Sequence, residues 1–148
     1  MKFTAIVAAV LLTGYLYASE DTRILQAIGA VETGNDPSAV GDGGKALGQY
    51  QMTFASWRDA NMQLIREGEL TYSFSQWDRP MVQDIVALAY IRVIRARLNG
   101  AGVPKPTVQQ IALCWNMGFS AALLIDFNPK RAKGDYAQRV FNIYASKK

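Results

Sequence analysis

The sequence predicts a mostly α-helical single domain, a helical bundle carrying one short loop or β-hairpin, and three observations support this. Apolar residues recur at three- and four-residue spacing in several windows, and helix start and stop residues flank those windows. Only residues 35–52, dense in glycine and polar side chains, form no helix-length pattern. The chain has 148 residues, half of them hydrophobic and 19% charged, which is enough to bury one core and too apolar for a disordered chain.

Residues 1–18 have the layout of an export signal. Lys2 supplies the positive end, Phe3 to Leu12 the apolar stretch, and Ala18 follows Leu16 and Tyr17 at the expected cleavage position. The run is shorter than the roughly 20 residues that span a bilayer, and an uncleaved N-terminal anchor is the alternative. Both readings put the working domain, residues 19–148, in the periplasm or outside the cell, with no membrane span beyond the signal.

The helices then follow in order. Residues 21–33 place Ile24, Ile28 and Val31 on one face, with Ser19, Glu20 and Asp21 at the start and Gly34 as the stop. Around Asp42-Gly43 a tight turn or short hairpin is expected. Thr53 can cap a second helix, with Met52 and Trp57 spaced as a hydrophobic staple. Residues 61–78 read as polar and less regular. The longest helix should run from Pro80 to Leu98, on a stripe of Val82, Ile85, Val86, Ala89 and Val93, and close at "NGAG". Thr107 and Gln110 form a capping-box pair ahead of "IALCWNM", which Gly118 ends. Leu123 and Leu124 suit a short helix, and residues 135–144 a last one with Tyr136, Val140, Ile143 and Tyr144 on one side.

Composition narrows the chemistry. The chain has no histidine, which removes Ser-His-Asp catalysis and most zinc sites. Its one cysteine, Cys114, has no partner for an internal disulfide and sits in the apolar run "IALCW", so it reads as core. A net charge of +4 gives a mild attraction to polyanions, with Lys130, Arg131 and Lys133 clustered. No basic helix stripe or motif points to nucleic acid. "GGKA" fails as a phosphate loop, because Ala39 replaces the first glycine and Ala46 follows the lysine. No metal or organic cofactor is implied, and carboxylates remain as the natural catalytic groups.

Glu32 is the informative carboxylate. At the C-terminal end of a helix, unpaired carbonyls and the macrodipole disfavour a negative charge, and apolar neighbours such as Val31 push the pKa the same way. A carboxyl still protonated near neutral pH can donate a proton to a glycosidic oxygen. A plain surface glutamate is the alternative.

The residues around Glu32 carry a resemblance. Glu32-x-Gly34-x-x-Pro37-x-Ala39-Val40, then Gly48-x-x-Gln51, resembles the signature of lytic transglycosylases of the soluble-lytic (SLT) type, within the lysozyme-like superfamily. "ALCWNMG" is similar to that family's Ala-Tyr-Asn-x-Gly segment and "DYAQRVFNIY" to its closing tyrosine helix, so the likeness covers about residues 22–145. Thr33 stands for the family's serine, Gln49-Tyr50 for Leu-Met and Trp115 for tyrosine, and the loop after Glu32 is slightly longer. The resemblance implies an α+β lysozyme-like fold with the loop or hairpin beside an active-site cleft. It implies Glu32 as catalytic acid, substrate contacts from Thr33, Gln51, Tyr50, Asn116 and Tyr136, and Tyr136 holding the acid's geometry. Tyr50 would stack on a sugar ring. For Gln51 and Asn116 the alternative is hydrogen bonding that closes a loop. Trp57 and Trp115 read as core, and Trp77 is open.

Whether one acid suffices stays open at this point. Inverting hydrolysis needs a second carboxylate about 6.5–9.5 Å away, whereas a lytic transglycosylase uses the sugar's own C6 hydroxyl and one acid. Asp42 is the candidate partner, and "GDGGKALGQYQ" is also similar to invertebrate-type lysozymes, which use Glu with Asp; turn chemistry alone also explains Asp42. The expected activity is cleavage of the β-1,4 bond between N-acetylmuramic acid and N-acetylglucosamine in peptidoglycan by a monomer, giving 1,6-anhydro products. The rivals are a lysozyme-type hydrolase of peptidoglycan or chitin, a glycan-binding module without turnover, and a helical interaction protein.

Overall fold

The computed structural model describes residues 20–147. The expected export signal, residues 1–18, lies outside the described residues. Helix α1 is described over residues 20–33. Strands β1 (Val40–Gly41) and β2 (Ala46–Leu47) follow, then α2 (Phe54–Arg66), α3 (Pro80–Gly100), α4 (Val108–Met117), α5 (Phe119–Leu124) and α6 (Tyr136–Ser146). The protein is mostly helical, with one small sheet. Its strands are antiparallel, with Val40 opposite Leu47 and Gly41 opposite Ala46, and a single 3₁₀ turn at Asp42–Gly44 joins them.

The expected caps form. Thr53 Oγ1 accepts from the Ser56 amide at 3.3 Å while Ser56 Oγ accepts from the Thr53 amide at 3.0 Å. Thr107 and Gln110 make the same reciprocal pair at 3.2 and 2.9 Å. Each pair satisfies amides that a helix start leaves without partners. Pro80 occupies the first turn of α3, where its missing N–H costs nothing.

Helix α3 is the centre of the bundle. Val82, Val86, Ala87, Ala89, Ile91, Val93, Ile94 and Leu98 are all buried, covering most of its circumference. Helix α2 packs along it, and α4 packs between α3 and α6. Trp57 is core, with its indole N–H on the Tyr72 carbonyl at 2.7 Å. Cys114 is fully buried, and burial pushes its thiol up to about 12. Among the described residues no helix is long and apolar enough to cross a membrane.

One expectation is corrected. Helix α2 continues to Arg66, through residues read as irregular. Only Trp57, Ala60 and Leu64 of α2 are buried, a stripe one residue wide, and Met62 and Ile65 face solvent. Polar contacts carry the extension: Asn61 clasps both the N–H and the C=O of Tyr72, at 3.0 and 2.7 Å. Beyond the helix, Arg92 of α3 grips Glu67 with two nitrogens at 2.8 and 2.7 Å.

Two contacts fix α1 in place. Arg95 of α3 pairs with Glu20 at 2.8 Å and with Asp21 at 2.7 Å. The Arg23 guanidinium lies 4.3 Å from the centre of the Tyr144 ring and donates to the Tyr144 carbonyl at 3.2 Å. The second contact joins α1 to α6, the two helices that meet at Glu32.

Candidate active site

Helix α1 ends where the sequence places a stop. Gly34 has a φ of +67°, its N–H bonds to the Ala30 carbonyl at 3.2 Å, and the Asn35 N–H reaches back to the Gly29 carbonyl at 3.1 Å. Glu32 therefore occupies the last turn of α1, half-buried. Its Oε1 accepts a hydrogen bond of 2.6 Å from the hydroxyl of Tyr136, at the start of α6. Burial raises the Glu32 pKa above the ordinary carboxylate value, while the Tyr136 bond and the nearby Arg139 charge pull it back only in part. Burial and Glu32 in turn push the Tyr136 phenol upward, which keeps it a donor. Arg139 is held one turn along α6 by an ion pair with Asp135 at 3.1 Å.

The segment from Asn35 to Met52 folds across the bundle beside this pair, and α3 holds it down. Gln83 of α3, 3% exposed, accepts from the Gln49 N–H at 2.7 Å and donates to the Pro37 carbonyl at 2.8 Å, bridging the two arms of the loop. Gly48 lies directly on that amide. A Cβ there would stand 2.5 Å from Gln83 Oε1, and its φ of +75° disfavours any side chain. On the α1 side, a Cβ at Gly29 would meet Gln49 and Tyr50 atoms at 2.9 Å, so the loop rests on bare helix backbone one turn before Glu32.

Two hollows adjoin at α4, and Tyr136 lines the smaller of them. One, of about 340 Å³, lies between the start of α2 and the end of α4 and is lined by Gln51, Ser56, Asp59, Tyr90, Trp115 and Asn116 among others. The second, of about 230 Å³, lies between α4, the Pro129–Arg131 turn and α6, and its walls include Leu113, Asn116, Lys130, Lys133 and Tyr136. Asn116 belongs to both. Asn116 thus links the hollow of Gln51 to that of Tyr136, and Tyr136 in turn carries the hydrogen bond to Glu32.

The structure sorts the expected substrate contacts. Glu32 meets Tyr136, Tyr136 shares one hollow with Asn116, and Asn116 shares the other with Gln51. Gln51 lines its hollow from a strained backbone, φ +51°, and its amide nitrogen donates to the Gly48 carbonyl at 3.0 Å, closing the loop as well. Tyr50 is corrected: only 4% exposed, with its hydroxyl on Asp84 at 2.5 Å, it has no face to offer a sugar ring and anchors the loop on α3. Thr33 is corrected too, because its hydroxyl donates to the Gln49 carbonyl at 2.9 Å and accepts from the Asp36 N–H at 3.0 Å, which occupies it within the loop. Trp115, expected in the core, is half-buried and lines the larger hollow. It packs edge-on against Tyr90 with ring centres 5.2 Å apart. With Tyr90 it gives that hollow an aromatic wall, which Tyr50 does not reach.

Asp42 sits exposed at the hairpin turn with a φ of +46°. The charge of Arg139 bears on Glu32 and favours its ionised form. Asp59 borders the larger hollow but is tied to Arg97 at 2.7 Å and to Arg58 at 3.2 Å. Burial raises its pKa and the two arginines more than reverse that, so it stays ionised. Among the described residues no group of three or more cysteine, aspartate and glutamate side chains is placed to hold a metal ion.

Gln83, Asp84 and Arg139 are the functional neighbours that sequence reasoning missed. Gln83 had a readable signal: it lies on the buried stripe with Val86, Ala87 and Ile94, and a lone amide on such a stripe needs partners. Comparison with protein-family models, curated proteins and solved structures finds no match to this chain.

Proposed function

We propose that this chain is an exported lysozyme-like enzyme of the lytic transglycosylase type, cleaving the β-1,4 bond between N-acetylmuramic acid and N-acetylglucosamine in peptidoglycan. The observation that carries this is the Glu32–Tyr136 pair, a half-buried carboxyl with a raised pKa bonded at 2.6 Å to a tyrosine that shares a hollow with Asn116.

Protonated Glu32 gives its proton to the bridging oxygen as the glycosidic bond breaks and positive charge develops at the anomeric carbon. The carboxylate left behind keeps the Tyr136 hydrogen bond, which favours the charged form. It then takes the proton of the sugar's C6 hydroxyl while that oxygen closes on the anomeric carbon, giving a 1,6-anhydro end and restoring the acid. Gln51 and Asn116 hold the sugars on either side, and Trp115 offers a ring face or edge. The hydrolytic alternative needs Asp42 to activate water from its exposed position in the hairpin turn.

Digestion of purified peptidoglycan by wild type and by Glu32→Gln, with products identified by mass, tests the proposal. Wild type should release fragments one water lighter than reducing-end products. Glu32→Gln should be slower by roughly 10²–10⁴-fold, the usual contribution of a positioned general acid. Equal rates in the two proteins overturn the mechanism, reducing ends point to the hydrolase, and binding to sacculi without release by wild type points to a binding module.

A further inference from the structure

The smaller hollow differs from the larger one in charge. Lys130 and Lys133 both line it together with Tyr136, the partner of Glu32. Most other cations near the hollows are already neutralised: Arg131 pairs with Asp126, Arg139 with Asp135, and Arg97 with Asp59. Asp135, the carboxylate in the wall of the smaller hollow, is thus taken up by Arg139. Lys130 and Lys133 have no ion-pair partner among the described residues. Lys130 also borders a wider hollow of about 510 Å³ that continues toward the start of α4 past Phe127 and Gln110. The lysine end is therefore open outward, with room for a branch that leaves the sugar chain.

We propose that the hollow lined by Lys130 and Lys133 is a subsite for a carboxylate-bearing branch of the glycan substrate, joined to the acid at Glu32 through Tyr136. The inference rests on the functional reading above and deepens it. A neutral polymer of N-acetylglucosamine gains nothing from two unpaired ammonium groups. A glycan whose alternate sugars carry a lactyl carboxyl or a peptide ending in carboxylates gains at each occupied position. Asn116 and Tyr136, which line the same hollow, connect the branch site to the sugar track. Selection for the anionic wall polymer over chitin then comes from the branch and not from the sugars.

The test measures binding in the Glu32→Gln background, so that no ligand is consumed. Three probes are titrated: peptide-bearing glycan strands, strands stripped of peptide by an amidase so that only the lactyl carboxyls remain, and neutral chitin oligomers of equal length. Both anionic probes should bind more tightly than chitin. Lys130→Gln with Lys133→Gln should weaken them by about fivefold at low salt, leave chitin unchanged, and lose the difference near 1 M salt. Lys105→Gln with Lys147→Gln, which removes the same charge elsewhere, should change nothing. Equal loss in the two double variants reduces the effect to net charge and overturns the proposal. Unchanged binding to all probes on removing Lys130 and Lys133 also overturns it and leaves the peptidoglycan reading standing. Absence of binding to every glycan overturns both. Loss confined to peptide-bearing strands places the recognised carboxylate on the peptide, loss confined to stripped strands places it on the lactyl group that the amidase frees, and loss on both means that the lysines take either carboxylate.

Discussion

Glu32 and Gln83 are side chains of nearly the same shape at opposite sides of one loop, and the fold treats them differently. Gln83 is sealed, neutral, and bonded through both ends of its amide to backbone at 2.7 and 2.8 Å. Glu32 is half-buried, accepts a hydrogen bond of 2.6 Å from Tyr136, and ionises against the desolvation of its surroundings. A buried polar group whose bonds are all made adds rigidity, whereas one that is hard to ionise detracts from stability at neutral pH. Stability in this region therefore resides in the anchor. Reactivity resides in the rim.

Breaking the anchor should have the largest effect on the fold. Gly48→Ala forces a side chain into the Gln83 amide and onto a left-handed backbone, and should cost about 3 kcal/mol. Gln83→Leu leaves the Gln49 N–H and the Pro37 carbonyl without their partner and should cost about 2 kcal/mol. Urea midpoints measure both. A loss under about 0.5 kcal/mol for Gly48→Ala would show that the loop is held elsewhere and dissolve the comparison.

At the rim, Tyr136→Phe removes the donor that favours the Glu32 carboxylate. The Glu32 pKa should rise further, so the alkaline limb of the pH–rate profile should move to higher pH while the maximal rate falls about tenfold from lost positioning. A limb that moves to lower pH, or stays put, would mean that Tyr136 does not act through the carboxyl.

The smallest effect sharpens the contrast most. Because the folded pKa of Glu32 lies above its unfolded value, the fold favours the protonated form, and stability drawn from it is lost as pH rises through the folded value. Glu32→Gln should therefore stabilise the protein near neutral pH by less than the anchor variants cost it, and the gain should vanish below the ordinary glutamate range. Thermal melts across pH measure this. Destabilisation at neutral pH would class Glu32 with Gln83 as a structural group.

Helix boundaries were legible where local chemistry decides them. Thr53 and Thr107 capped as their spacing implies, Pro80 opened α3, and the glycine-rich stretch became a hairpin around Asp42. Extension of α2 was not legible, because Asn61 and Glu67 bond to Tyr72 and Arg92, and such long-range partners leave no periodic trace. The same reason explains Tyr50 and Trp115. Both are aromatics beside polar residues, and only the close approach of α1 at Gly29 and the hydroxyl's bond to Asp84 turn Tyr50 inward. Glu32 was readable because its position against a helix end is a local conflict. Lys130 and Lys133 read only as a solvated cluster, since the sequence does not show which charges find partners.

Cys114 gives the molecule a built-in reporter. Lying at zero exposure on α4 between the central helix and α6, with its thiol raised to about 12, it is shielded from any water-borne alkylating reagent while the bundle is closed. Its modification rate therefore counts the moments when α4 swings free. Ageing, heat or ligand can each be followed through that single sulfur, without attaching a label that would disturb the parts being watched.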